Sequence, residues 1–369
     1  MDTTEVMFER RGHLGAILLN RPKAINALSE AMVDGIRAQL AAWAEDPDVA
    51  QVAVRGAGER GLCAGGDIVA LRQAAVDGQP EAARAFFERE YAMDAAIAEY
   101  SKPYVAFMDG IVLGGGVGVS AHGSVRVVTE RTRLGMPETG IGFVPDIGAS
   151  KLLSEAPGEL GTWMALTGEM ISGADAIALG LADWYVPSER LEELARALET
   201  EPAVDAVRKF AVEPPEPALL ADREWIDSCF SSDDPVEIVA RLRASGHEDT
   251  AATIESKSPS STFVTLALLR RAPGLTLREA LAAELRVGMA LFSSGEMVEG
   301  IRAQVVDKDR NPSWNPPTLA EVSRERLATL LAGGEGADDD AAAGQGPAGG
   351  AGDGSTEAAG RQDTAGKDA

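Results

Sequence analysis

The stretch KPYVAFMDGIVLGGGVGVSAHGSVRVVTE, residues 102–130, runs an apolar strand into three consecutive glycines, then a short helical stretch, then another strand. A continuous apolar run such as YVAFM, closed by Asp-Gly, reads as a strand buried on both faces. Glycines at 114–116 let the backbone approach a ligand closely and leave peptide N–H groups free where the helix opens. The same order occurs earlier. QVAVRG (51–56) is a short buried strand, and GAGERGLCAGGD (56–67) is a glycine-rich loop that ends as helical sequence begins. Strand, glycine loop, helix thus occurs twice, which places the chain in the α/β class.

Outward from these units, residues 4–19 alternate in hydrophobicity around RRGHLG, the period of a hairpin. Ser29 caps an amphipathic helix with Met32, Ile36, Leu40 and Trp43 on one stripe. Helical pattern covers roughly 81–100 and recurs around 147–180; ADWYV is a further strand, and an acidic helix starts at Ser188. Beyond about 200 the pattern is wholly helical. Three regions are therefore expected: a core over 1–200, a helical region over 201–332, and a tail over 333–369. Of the last 37 residues 21 are Gly or Ala, too few apolar groups to offset the entropy of ordering, so the tail is expected to be disordered.

The net charge of −24 opposes binding to nucleic acid or to an anionic membrane surface, and an anionic ligand would need local cations and backbone donors. Cys63 and Cys229 stand far apart, without metal-ligand spacing, so neither a disulfide framework nor a metal site is expected. Charges interrupt every apolar run near the start, and no stretch approaches the ~20 apolar residues of a membrane span. A cytoplasmic, reducing location is the expectation.

NRPKAINAL (20–28), LCAGGDI (62–68), KPYVAFMDGIVLGGGVGVS (102–120) and MPETGIGFVPDIG (136–148) resemble the successive signatures of the crotonase superfamily, in that family's order. The resemblance implies a spiral of ββα units stacking two roughly perpendicular sheets, with a C-terminal helical appendage. It also implies an oxyanion hole for a coenzyme A thioester, built from the N–H groups of Gly66 and Gly115. Segments around Lys23, Ala24, Ala64, Gly66, Asp67 and Ile68 would hold the CoA moiety. CoA would be part of the substrate, with no separate cofactor, and related enzymes leave a homo-oligomer open.

Hydratases of this superfamily use two glutamates. The position of the first is Gly118 here; the second is kept as Glu138. Asp146 stands eight residues beyond Glu138, where hydratases usually have glycine, and MPETGIGFVPD is similar to the signature of the 3-hydroxyisobutyryl-CoA hydrolase subfamily. That resemblance implies Glu138 and Asp146 as the catalytic pair and Glu90, in FFEREY, as a substrate contact. The C-terminal segments SPSSTFVTLALLRR and EGIRAQVVDKDRNPSWNPP also resemble the hydrolases' extra helices. Hydrolysis of a short β-hydroxyacyl-CoA, within valine breakdown, is the expected reaction. An enoyl-CoA hydratase or isomerase using Glu138 alone is the alternative, and a non-catalytic acyl-CoA-binding protein a second one. Each carboxylate also has an ordinary structural reading: Glu138 or Asp146 as helix caps, Glu90 as a solvated helix face.

Overall fold

In the computed structural model, which describes residues 4–334, ten strands follow one another: β1 (Val6–Arg11), β2 (Leu14–Leu19), β3 (Gln51–Gly56), β4 (Gly61–Cys63), β5 (Tyr104–Met108), β6 (Ile111–Leu113), β7 (Val125–Val128), β8 (Arg133–Gly135), β9 (Ile171–Ser172) and β10 (Trp184–Tyr185). The hairpin forms as the alternation predicts, β1 antiparallel to β2. From β2 onward one sheet is parallel, in the order β1-β2-β3-β5-β7-β10, and a second sheet has the order β4-β6-β8-β9. Three consecutive strand pairs, β3β4, β5β6 and β7β8, each give one strand to each sheet before a helical segment intervenes. This is the repeating ββα spiral.

The inner strands of the larger sheet are buried on both faces, and their side chains alternate between two cores as a pleat requires. On β3 and β5, Val52, Val54, Tyr104, Ala106 and Met108 enter the main core. Ala53, Val105 and Phe107 face the opposite way, onto a smaller core closed by the helices Leu191–Ala197 and Ala203–Phe210. The helix Glu30–Glu45 begins where Ser29 accepts a hydrogen bond from the Met32 amide and buries the predicted stripe.

The second sheet is expected from the resemblance, but its strands are not read from the residues, because GLC reads as loop: strands of two or three residues are too short to display a period. GGGVGVSA does become a helix, Gly115–Ala121, and the helix Ile68–Val76 follows the first glycine loop. The helical pattern over 81–100 is the helix Pro80–Ala98.

Beyond 200 the chain is helical, and no break in packing accompanies that change: the described residues belong to one compact unit. The helix Leu277–Ser293, started by a Thr276–Glu279 capping box, packs against Pro80–Ala98 and Ala149–Ser154. Pro259–Arg271 packs against Ala149–Ser154 and Leu160–Thr167. The appended helices therefore lie beside the segment that carries Asp146. The predicted disordered tail falls, from residue 335 on, outside the described residues.

Candidate active site

The first glycine loop is pinned by Asn26 of the NRPKAINAL segment. Its buried amide donates to the carbonyls of Ala57, Gly61 and Leu62 at 3.0–3.1 Å, while its Oδ1 accepts from the Arg21 N–H at 3.0 Å. Ala64 N–H donates to the Ile25 carbonyl at 2.9 Å, so the turn Pro22–Ala24 sits beside the loop. After these ties Gly66 and Gly115 come together: a Cβ at 115 would lie 3.3 Å from the Gly66 nitrogen. Neither of these two amides donates a hydrogen bond to another described residue.

Both glycines line a cavity of about 340 Å³ that also takes in Glu90, Glu138 and Asp146. The structure thus brings together five of the residues singled out in the sequence. Leu71, Phe86, Phe87, Phe143 and Met297 supply an apolar wall, with Phe87 and Phe143 stacked at 5.1 Å between centroids. Ala64 and Ile68 line the same cavity; Lys23 and Ala24 are exposed on their turn and do not. The Asp67 side chain pairs with Arg21 at 2.8 Å and accepts from the Ala70 amide, which commits it to capping a helix. Any contact of Asp67 with CoA is left to its backbone.

None of the three carboxylates plays its ordinary structural role. Glu90 is 2% exposed, hence no solvated face. Glu138 opens a 3-10 turn, Glu138–Ile141, with no cap bond from its side chain. The helix after Asp146 starts at Ala149 with Gly148 as its N-cap, and Asp146 instead accepts a hydrogen bond from the Tyr91 hydroxyl at 2.6 Å.

Asp94, four residues beyond Glu90 and therefore on the same helix face, is fully buried with neither oxygen partnered. A Cβ at Gly118 would lie 2.7 Å from its Oδ1. The glycine that replaces the hydratase glutamate thus makes room for an acid from another helix. Among the described residues no basic side chain pairs with Glu90, Asp94, Glu138 or Asp146.

Four buried acids without a cation cannot all be ionised. Burial raises Glu138 well above the usual carboxylate range, and the neighbouring Asp146 charge adds to it. Glu90 is raised by burial and then by Asp146, and Asp94 by burial and then by Glu90. Asp146 is pushed up to about 7 by burial, against the pull of the Tyr91 hydrogen bond. Asp146 is therefore the readier of Glu138 and Asp146 to ionise. One carboxylate and one carboxylic acid near neutral pH is the state this site favours.

Sequence reasoning missed Tyr91, Asp94 and Lys257. Tyr91 adjoins Glu90 in FFEREY, and the i, i+4 spacing from Glu90 would have found Asp94. Lys257 is the one basic residue among those lining the cavity; it comes from the appended helical region, and burial lowers its pKa. Among the described residues there is no cluster of His, Cys, Asp and Glu that could hold a metal ion.

Paired unclaimed amides beside buried acids, on a ββα spiral, define the crotonase superfamily. The family model for enoyl-CoA hydratase/isomerase matches residues 14–331, and the chain belongs to that family. It is 40% identical over 340 residues to the mitochondrial 3-hydroxyisobutyryl-CoA hydrolase of Rattus norvegicus, covering 88% of each chain. To the Homo sapiens protein of the same name it is 38% identical, covering 88% of this chain and 87% of that one. Among solved structures, a carnitinyl-CoA dehydratase from Mycobacterium thermoresistibile superposes with a TM-score of 0.86 at 47% identity, covering 89% of this chain and 96% of that one. An enoyl-CoA hydratase from Rhodobacter sphaeroides gives 0.84 at 38% identity, covering 89% and 97%.

Proposed function

We propose that this chain hydrolyses a short β-hydroxyacyl-CoA thioester, 3-hydroxyisobutyryl-CoA first, to the free hydroxy acid and CoA, as a step of valine breakdown. The observation that carries this reading is the shared cavity: Gly66 and Gly115, whose amides have no partner among the described residues, line the same space as Glu138 and Asp146. The curated relatives quoted above carry the same activity in their names.

In this reading the two amides form an oxyanion hole for the thioester carbonyl. Preorganised donors of this kind stabilise the developing oxyanion, and losing one costs about 10²- to 10³-fold in rate. Glu138 lies against the first glycine of the same run, since a Cβ at Gly114 would lie 2.6 Å from its Oε1. Asp146 first takes the Glu138 proton; the Glu138 carboxylate then attacks the carbonyl or deprotonates an attacking water, and as the C–S bond breaks Asp146 gives the proton to the departing thiolate, a water opening the acyl anhydride on the first route. Glu90 has its Oε1 against Gly115 with no partner, which supports assigning it to the acyl hydroxyl. Lys257 offers a cation to the anionic substrate. The reaction needs no cofactor apart from the CoA that the substrate carries. We keep the cytoplasm as the proposed compartment, because two buried free cysteines fit a reducing environment.

A second reading, hydration of an enoyl-CoA or the reverse dehydration of a hydroxyacyl-CoA, is favoured by the activities named for the two solved structures. Against it stands Gly118, where the first hydratase acid is absent and Asp94 fills the space. A free-thiol assay decides. Thiol release from 3-hydroxyisobutyryl-CoA is the expected result; loss of crotonyl-CoA absorbance without thiol would establish the second reading, and CoA binding without turnover on either substrate would leave a binding protein.

A further inference from the structure

Asp146 is carried by a turn that its own sequence disfavours. Ile147 lies at φ +60°, a left-handed conformation that β-branched residues rarely adopt, and Gly148 follows at φ +81°. Such backbone persists only where its surroundings over-determine it. Two side chains remote in sequence do so here. Glu284, fully buried on the helix Leu277–Ser293, accepts from the Gly148 N–H at 2.7 Å with one oxygen. With the other it accepts from the Ser150 N–H at 2.9 Å and the Ser150 hydroxyl at 2.5 Å. On the other side His122, which ends the helix Gly115–Ala121, places Nε2 2.6 Å from the Ile147 carbonyl; a carbonyl only accepts, so that nitrogen carries the proton.

Neither Glu284 nor His122 nor Ser150 lines the catalytic cavity. Three donors converge on Glu284, and two carboxyl oxygens are the minimum that serves both backbone amides and the hydroxyl. Glutamine in its place keeps the shape but turns an NH₂ group toward an N–H. We propose that Glu284 is a positioning residue for thioester hydrolysis: from the appended helices it clamps the left-handed Ile147–Gly148 turn and so fixes the Asp146 carboxyl on the cavity wall. The clamp rests on the hydrolase reading above, and it gives the C-terminal helices a part in the chemistry.

The test is a double-mutant cycle in the free-thiol assay, using the full chain and the acyl-CoA that the wild type cleaves fastest. A displacement of about 1 Å at a catalytic group costs about 10²-fold. E284Q is therefore expected to lower kcat about 10²-fold with KM nearly unchanged, and D146N/E284Q to be no slower than D146N alone, because Glu284 acts through Asp146. A merely structural residue would instead add its loss to that of D146N, and that outcome, or wild-type kcat in E284Q, overturns the clamp. Should E284Q fail to fold, S150A takes its place: a fall in kcat that vanishes in the D146N background supports the clamp, and an unchanged kcat overturns it. Wild-type protein that releases no thiol from any acyl-CoA refutes the hydrolase reading itself, and the clamp with it, whereas cleavage by wild type and E284Q alike refutes the clamp alone.

Discussion

On the surface Arg302 holds Glu299 at 2.8 Å and Asp309 at 2.6 Å, and Arg243 holds Glu255 at 2.6 Å and Glu248 at 3.1 Å. Around the cavity Glu90, Asp94, Glu138 and Asp146 are buried without any such partner among the described residues. Arg302 holds the Glu299 and Asp309 carboxyls below their ordinary range, and at exposed pairs of this kind water screens the charge, so each adds little stability. The cavity acids face burial and one another, and they hold protons toward neutral pH. A chain of −24 net charge has thus not merely spread its acids: among the described residues it pairs no cation with the carboxyls of this cavity, where a held proton is useful, although Lys257 lines the same space.

Removing a cavity acid should be felt in rate first. E138Q is expected to abolish thioester cleavage, by 10³-fold or more on the usual scale of a lost nucleophile or base, with CoA binding retained; near-normal turnover would remove Glu138 from the mechanism. D146N should cost about 10²-fold and change the pH profile. Wild-type kcat should fall as pH drops through about 7, because the pair then loses its ionised member, and in D146N that limb should move, because Glu138 then titrates without its partner.

The same shift has a stability sign. Asp146 binds its proton more tightly folded than unfolded, so between its ordinary value near 4 and its folded value near 7 the native state holds more protons and stability declines as pH rises. Melting temperature should fall from pH 5 to pH 8, and less steeply in D146N. If the two slopes coincide, Asp146 is not held in its acid form by the fold.

G118E asks whether the missing hydratase acid can simply be restored. Its side chain would enter the space of Asp94, 2.7 Å from the Cβ position, so the expected result is a lowered melting temperature and no hydration of crotonyl-CoA. A stable, hydrating variant would favour the second reading. R243A, on the surface, should leave kcat unchanged and the melting temperature nearly so; a large loss would erase the contrast between the two populations of acids.

Much of this was legible in the chain itself. The hairpin, the Ser29 cap, the strands β3, β5 and β7 and the long helices follow from periods and caps that neighbouring residues set on their own. Glu138, Asp146, Glu90 and the two glycine amides were found because ordered motifs carried them. The second sheet followed from the family resemblance alone, since its strands are too short to show a pattern and exist only by pairing with one another. Tyr91, Asp94, Lys257 and Glu284 were missed for a related reason: each acts on a partner that the chain brings near by folding, and an isolated Asp in a helix looks the same whether water or Gly118 faces it.

The sequence by itself determined the order of strand, glycine loop and helix, because those preferences reside in local backbone chemistry. Only the tertiary structure decided which acids would be stripped of water and cations, and which turn would be forced left-handed to present Asp146. Desolvation and strain depend on what packs against a residue, and that neighbour can stand more than a hundred positions away, as Glu284 does from Gly148.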